Sequence, residues 1–173
     1  MTGLTDNRPA ILVAGIGNIF LGDDGFGSEV LRRLPRNLAP HRRSARVRAT
    51  DYGIGGMHLA YDLLDEWDAL VLVDALPVQG HPGRLHVFEA DTEGHTGAAG
   101  LDAHAMDPTA VFAGLTALGG VAPHTVVVGC EVASVDEAIG LSAPVAAAVP
   151  DAVRAVREVV SRLLDRTALP GTG

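Results

Sequence analysis

The stretch AILVAGIGNIFLGDDGFGSEVLRRL (10–34) decides the fold. Its first five residues, AILVA (10–14), form an unbroken apolar run ended by glycines. That is the pattern of a strand buried on both faces. Residues 15–25 (GIGNIFLGDDG) read as a glycine-punctuated turn. FGSEVLRRL (26–34) then places Val30, Leu31 and Leu34 at helical spacing. A buried strand, a turn and a helix in that order begin a parallel strand–helix–strand unit.

The same order recurs along the chain. ARVRAT (45–50) alternates like a strand, Asp51 follows it, and Gly53, Gly55 and Gly56 form a turn. Met57, Leu59, Ala60, Leu63 and Leu64 then share one helical face. ALVLV (69–73) is a second strongly apolar strand, with Asp74 next. RLHVFE (84–89) alternates, and the spacer before it is too short for a crossover helix. Leu85–Glu89 is therefore expected as an antiparallel edge strand or hairpin arm. Residues 90–103 are rich in Gly, Asp, Thr and His and read as a flexible loop.

Asp107-Pro108 signals a helix start, since Asp caps free N–H groups and Pro suits the first helical position. That helix is expected to reach about Leu118, where Gly119-Gly120 ends it. TVVVG (125–129) is a third core strand, and Ser142 reads as the cap of a short helical turn. Pro150 breaks a continuous helix, which places the main C-terminal helix at 151–165. Val153, Val156, Val160, Leu163 and Leu164 give it an apolar stripe. The expected architecture is a three-layer α/β/α sandwich with a mostly parallel twisted sheet and one antiparallel edge strand. It is expected as one domain over 1–173, loose from about residue 166.

Composition narrows the function. Apolar residues make up 47% of the chain and aromatics only 4%, so the core is aliphatic. The formal net charge of -8 argues against a nucleic-acid surface, which needs a clustered basic face. Arg42, Arg43, Arg46 and Arg48 are the one basic cluster and read as a solvated loop and strand edge. Cys130 is the single cysteine, so an intrachain disulfide is excluded and a cysteine-based zinc site is not expected. A lone cysteine fits a reducing cytoplasm. No signal peptide and no membrane span are expected from the apolar runs present.

Three residues far apart in sequence sit where strands should end: Asp24, Asp74 and His104. Such positions converge at the carboxyl edge of a parallel sheet, where open α/β folds bind ligands. Two carboxylates and an imidazole there suit a divalent metal. A carboxylate directly after ALVLV is costly to bury without a metal, a cation or backbone donors as partner. For Asp24 the plainer alternative is a helix-dipole role, and for His104 a solvated loop position. Asp51 suits a structural turn as well as a ligand role. Gly15-Ile16-Gly17 invites a dinucleotide reading, but the third glycine of that fingerprint is replaced by Phe20. Asp23 and Asp24 would also face the pyrophosphate. Cys130 has no base beside it in sequence, and no GxSxG elbow occurs.

Several blocks together resemble the nickel–iron hydrogenase maturation proteases. AGIGNIFLGDDGFG (14–27) resembles that family's GxGNxxxxDDGxG block, DYGIGGM (51–57) its second and LVLVDAL (70–76) its third. AHAMDP (103–108) resembles its histidine loop, and VGCEVASVDEAIGLSAPV (128–145) its GxEPxSxxxxxGLS region, with Val132 where Pro is usual. The resemblance implies that Asp24, Asp74 and His104 bind the metal and serve the cut. It implies an endopeptidase that removes the C-terminal extension of a nickel-loaded hydrogenase large-subunit precursor. Nickel would come with the substrate protein, and zinc or cadmium could fill the site in vitro. The enzyme is expected to be a cytoplasmic monomer. A nickel-sensing chaperone that binds the same precursor without cutting is the alternative, and a dinucleotide-dependent oxidoreductase the third reading.

Overall fold

The opening apolar run forms β1 (Ala10–Ile16), and every residue in it is buried. The structure is a computed structural model and describes residues 6–92 and 108–168. β2 (Arg46–Gly53) and β3 (Ala69–Leu76) flank β1, both parallel to it. β4 (Leu85–Glu89) runs antiparallel to β5 (His124–Glu131), and β5 lies parallel beside β3. The order across the sheet is β2-β1-β3-β5-β4.

A 3-10 turn (Gly22–Gly25) leads from β1 into α1 (Phe26–Arg33). α2 (Gly56–Asp62) joins β2 to β3, α3 (Pro108–Ala117) precedes β5, and α4 (Ala143–Ala168) follows it. Side-chain alternation assigns the two faces. Ile11, Val13, Val71, Val73, Val128 and Cys130 pack with the apolar residues of α1 and α4. Leu12, Ala14, Ile16, Leu70, Leu72 and Val127 pack with those of α2 and α3. This is the expected three-layer arrangement with one antiparallel edge strand. The central strands read as continuous apolar runs because both their faces are covered. Each fully buried Val, Leu or Ile contributes about 1.5–3 kcal/mol of transfer free energy.

Two expectations change. The strands run further toward their carboxyl ends than the apolar runs alone indicate. Asp51 lies within β2 and Asp74 within β3, because pairing continues past them to Ile16↔Gly53 and Leu76↔Glu131. The C-terminal helix also starts earlier than 151 and is continuous through Pro150. Val145, Ala148, Val149, Ala152 and Val156 are buried on both sides of the proline. Pro150 itself is on the exposed side, where water can satisfy the carbonyl that loses its N–H partner. The helix extends to Ala168, and the rest of the expected loose tail lies outside the described residues.

α1 leads from β1 outward to β2, whereas β3 lies on the opposite side of β1. The gap between β1 and β3 is thus the switch point of the sheet, where open α/β folds place their ligands. The approach there is close. A Cβ on Gly27 would come within 2.5 Å of the Ile16 carbonyl oxygen and 2.6 Å of the Val73 carbonyl oxygen. The start of α1 therefore rests directly on the ends of β1 and β3. Among the described residues no helix is long and apolar enough to cross a membrane.

Candidate functional site

Asp24 lies in the 3-10 turn at the switch point. The chain reaches it through Gly17, whose φ of 135° is in the range that favours glycine. A Cβ at Gly17 would overlap the Asp24 carbonyl oxygen. Gly17 N–H donates to the Gly53 carbonyl at 2.9 Å, which ties the turn to the end of β2. Asn18 N–H donates to Asp24 Oδ2 at 2.7 Å and orients that carboxylate. Asn18 Oδ1 accepts the Phe20 N–H at 2.9 Å, the turn-bonding role its residue type suggests.

Its neighbour Asp23 is only 1% exposed. Asp23 Oδ1 accepts the Ser142 N–H at 2.6 Å. Oδ2 accepts the Ala133 N–H at 2.8 Å, the Ser134 N–H at 3.2 Å and the Ser142 hydroxyl at 2.8 Å. Burial pushes the Asp23 carboxyl toward a higher pKa. Bonds from the Ser142 and Ala133 N–H groups, the Ser142 hydroxyl and the Ser134 N–H outweigh it and hold the group below its usual range. Ser142 precedes α4 as the sequence indicates, and its carbonyl accepts the Ala146 N–H at 2.8 Å. Its hydroxyl, however, is turned to Asp23.

Asp74 stands on β3 level with Gly129 of β5 and is 6% exposed. By alternation it faces the same side as Leu72, toward α2 and α3. Gly129 has no side chain beside it, and a Cβ there would come within 2.5 Å of the Leu76 side chain. Two residues beyond Gly129 lies Glu131, 1% exposed. Its Oε1 accepts the N–H groups of Gln79 at 2.5 Å and His81 at 2.6 Å. Burial raises its pKa. The His81 and Gln79 N–H bonds and the charges of His81 and His86 more than offset this and hold it low.

His104 lies outside the described residues. Among the described residues no group of three or more His, Cys, Asp or Glu is placed to hold a metal ion. The direction of α3 is on view. Gly114 packs against Met57 in the first turn of α2, and Gly120 against Leu64, so α3 runs the same way as α2. Both helices descend from the carboxyl edge. Pro108 stands about 9 Å above Gly114, at 1.5 Å rise per residue. Asp51 is exposed, accepts the Ser28 hydroxyl at 2.9 Å and the Gly53 N–H at 3.0 Å, and shapes the turn after β2.

The surrounding loops and the first turn of α2 expose large apolar side chains: Ile19 (49%), Phe20 (61%), Ile54 (67%), Met57 (52%) and Ile139 (82%). Beside them a groove of about 600 Å³ runs between Leu31 of α1, Ala49 of β2 and Leu141. Sequence reasoning did not find the roles of Asp23 and Glu131, nor this apolar rim. A buried acid whose donors are mostly backbone N–H groups far away in sequence leaves no local signature, and Ile139 sits in no periodic segment.

Comparison with known proteins agrees with this arrangement. A family model described as hydrogenase maturation protease matches residues 29–159. The chain is 31% identical over 161 residues to the coenzyme F420 hydrogenase subunit delta of Methanothermobacter thermautotrophicus, covering 87% of this chain and 94% of that protein. It is 33% identical over 150 residues to a putative hydrogenase maturation protease of Methanocaldococcus jannaschii, covering 84% of this chain and 93% of the other. Its fold matches a hydrogenase maturating endopeptidase from E. coli with a TM-score of 0.70 at 24% identity, over 88% of this chain and 93% of that one. The glycine-backed aspartate turn, the acid on β3 and the matched span lead to one conclusion: this chain belongs to the hydrogenase maturation protease family.

Proposed function

We propose that this protein removes the C-terminal extension of a nickel-loaded nickel–iron hydrogenase large-subunit precursor. Asp24, Asp74 and His104 engage the nickel that the substrate already holds. The observation that carries the reading is the placement of Asp24 and Asp74 at adjoining strand ends of the switch point. The direction of α3 adds support, because the chain enters that helix above the same edge a few residues after His104.

The donor chemistry fits the ion. Carboxylate oxygens and an imidazole nitrogen suit nickel and zinc, and three protein ligands leave positions open for a substrate group. Zinc or cadmium would fill such a site in vitro. Recognition that needs the metal makes processing conditional on nickel insertion, a specificity set by one required contact. A bound metal supplies Lewis acidity toward the scissile carbonyl or water. Asp24 and Asp74 hold and orient, and the competing assignment makes one of them the general base toward water. The exposed Ile19, Phe20, Ile54, Met57 and Ile139 suit a protein substrate. The protein acts as a single-domain monomer in the cytoplasm.

One finding favours a second reading. The relative from Methanothermobacter is named a hydrogenase subunit, which suits a partner that binds the precursor without cutting it. Both readings meet in one experiment. The protein is mixed with purified large-subunit precursor, with and without nickel, and the product is weighed by mass spectrometry. Loss of the extension only in the nickel sample is expected. Asp24→Ala, Asp74→Ala and His104→Ala are each expected to stay folded and to abolish the cut. Normal trimming by all three variants would remove the site assignment, and stable complex formation without mass loss would favour the binding reading.

A further inference from the structure

We propose that Asp23 is a positioning residue for metal capture: its carboxylate locks the Gly22–Gly25 turn onto residues 133–142 and so fixes where Asp24 is presented. The inference rests on the reading of Asp24 as a metal ligand. The Asp23 carbonyl accepts the Phe26 N–H at the start of α1, but its carboxylate turns the other way. All its side-chain partners lie more than a hundred residues away, at Ala133, Ser134 and Ser142. Return bonds complete the seam. Asp23 N–H donates to the Ser134 carbonyl at 3.1 Å, Gly22 N–H to the Ala138 carbonyl at 2.9 Å, and Ala138 N–H to the Phe20 carbonyl at 3.0 Å.

Asp24 is held from the other side as well. Its N–H donates to the Leu21 carbonyl at 3.1 Å, and Gly17 backs its carbonyl. The ligand residue is therefore set between the Gly17 bend and the Asp23 clasp. The side-chain chemistry at 23 is narrow. Four donors converge on two oxygens, so a carboxylate satisfies them and an amide does not. Asn would turn an NH2 group toward N–H donors. Glu would place its oxygens one methylene too far.

The probes are Zn²⁺ and Ni²⁺ alone, titrated calorimetrically into the full chain at a temperature where circular dichroism shows every variant folded. Asp23→Asn is expected to weaken the Kd by about tenfold or more, the scale on which outer partners of metal ligands act. Ser142→Ala leaves the acid in place, removes one of its donors and is expected to weaken binding less, with Ser142→Thr restoring it. Asp24→Asn is expected to lose binding. A role confined to folding would lower the melting temperature of Asp23→Asn and leave its Kd unchanged. Wild-type Kd values in Asp23→Asn and Ser142→Ala overturn the proposal, as does a wild-type chain that takes up neither ion. Retained binding in Asp24→Asn instead removes Asp24 as a ligand, a failure that the variant reports by itself.

Discussion

Asp23 and Asp24 are chemically identical neighbours in one short turn, yet the first is buried and the second half-buried. What separates them is the direction each side chain takes out of a turn that glycines make possible. Gly27 shows how little room that geometry leaves. Gly27→Ala would press a methyl group onto the Ile16 and Val73 carbonyls and lift α1 from the strand ends. It is expected to cost about 1–3 kcal/mol, as overpacked sites do, read as a lower urea midpoint with an unchanged m-value. Sequence made this turn recognisable as a place where acids gather, because two aspartates follow a glycine-rich bend after a buried strand. It could not tell the buried clasp from its half-buried neighbour, since the donors that distinguish them sit at residues 133–142. The same holds for Glu131, whose partners are the backbone of Gln79 and His81 rather than a charged side chain with a readable pattern.

At the level of elements, α4 shows tertiary packing overruling local preference. A proline inside a helix costs about 3 kcal/mol, and the sequence accordingly reads as two pieces. The buried stripe from Val145 to Leu164 keeps one helix intact. Pro150→Ala is therefore expected to stabilise the protein by about 1–3 kcal/mol, since the restored N–H regains a helical partner at an exposed position. The measurement is the thermal midpoint of the variant against wild type, and a lower midpoint would mean that Pro150 relieves a clash with the sheet. The parallel core strands were legible because hydrophobic runs without alternation have few other uses. Their lengths were not. Continuation past Asp51 and Asp74 depends on neighbours supplied by β1 and β5, and no window of local sequence contains them.

For the whole molecule, two buried acids make the loops of the carboxyl edge sensitive to acid. Glu131 and Asp23 both have folded-state pKa values below the ordinary carboxylate range. A depressed folded value contributes stability that is complete above the unfolded pKa, about 4 for such groups. That stability is lost as pH falls through the lower folded value. The urea midpoint is expected to hold steady from pH 7 to about pH 5 and to drop below about pH 4. Glu131→Gln is expected to lower the neutral midpoint and flatten part of that acid limb, and an unchanged limb would remove Glu131 as a contributor. The seam between the Gly22–Gly25 turn and residues 133–142 also bears on biogenesis. A ribosome adding roughly 5–20 residues per second makes the aspartate turn many seconds before it makes Ser142. Until that late segment emerges, the nascent polypeptide holds this turn without the scaffold that fixes it. On the proposed reading of Asp24, competence for processing is thus deferred to the closing stage of translation.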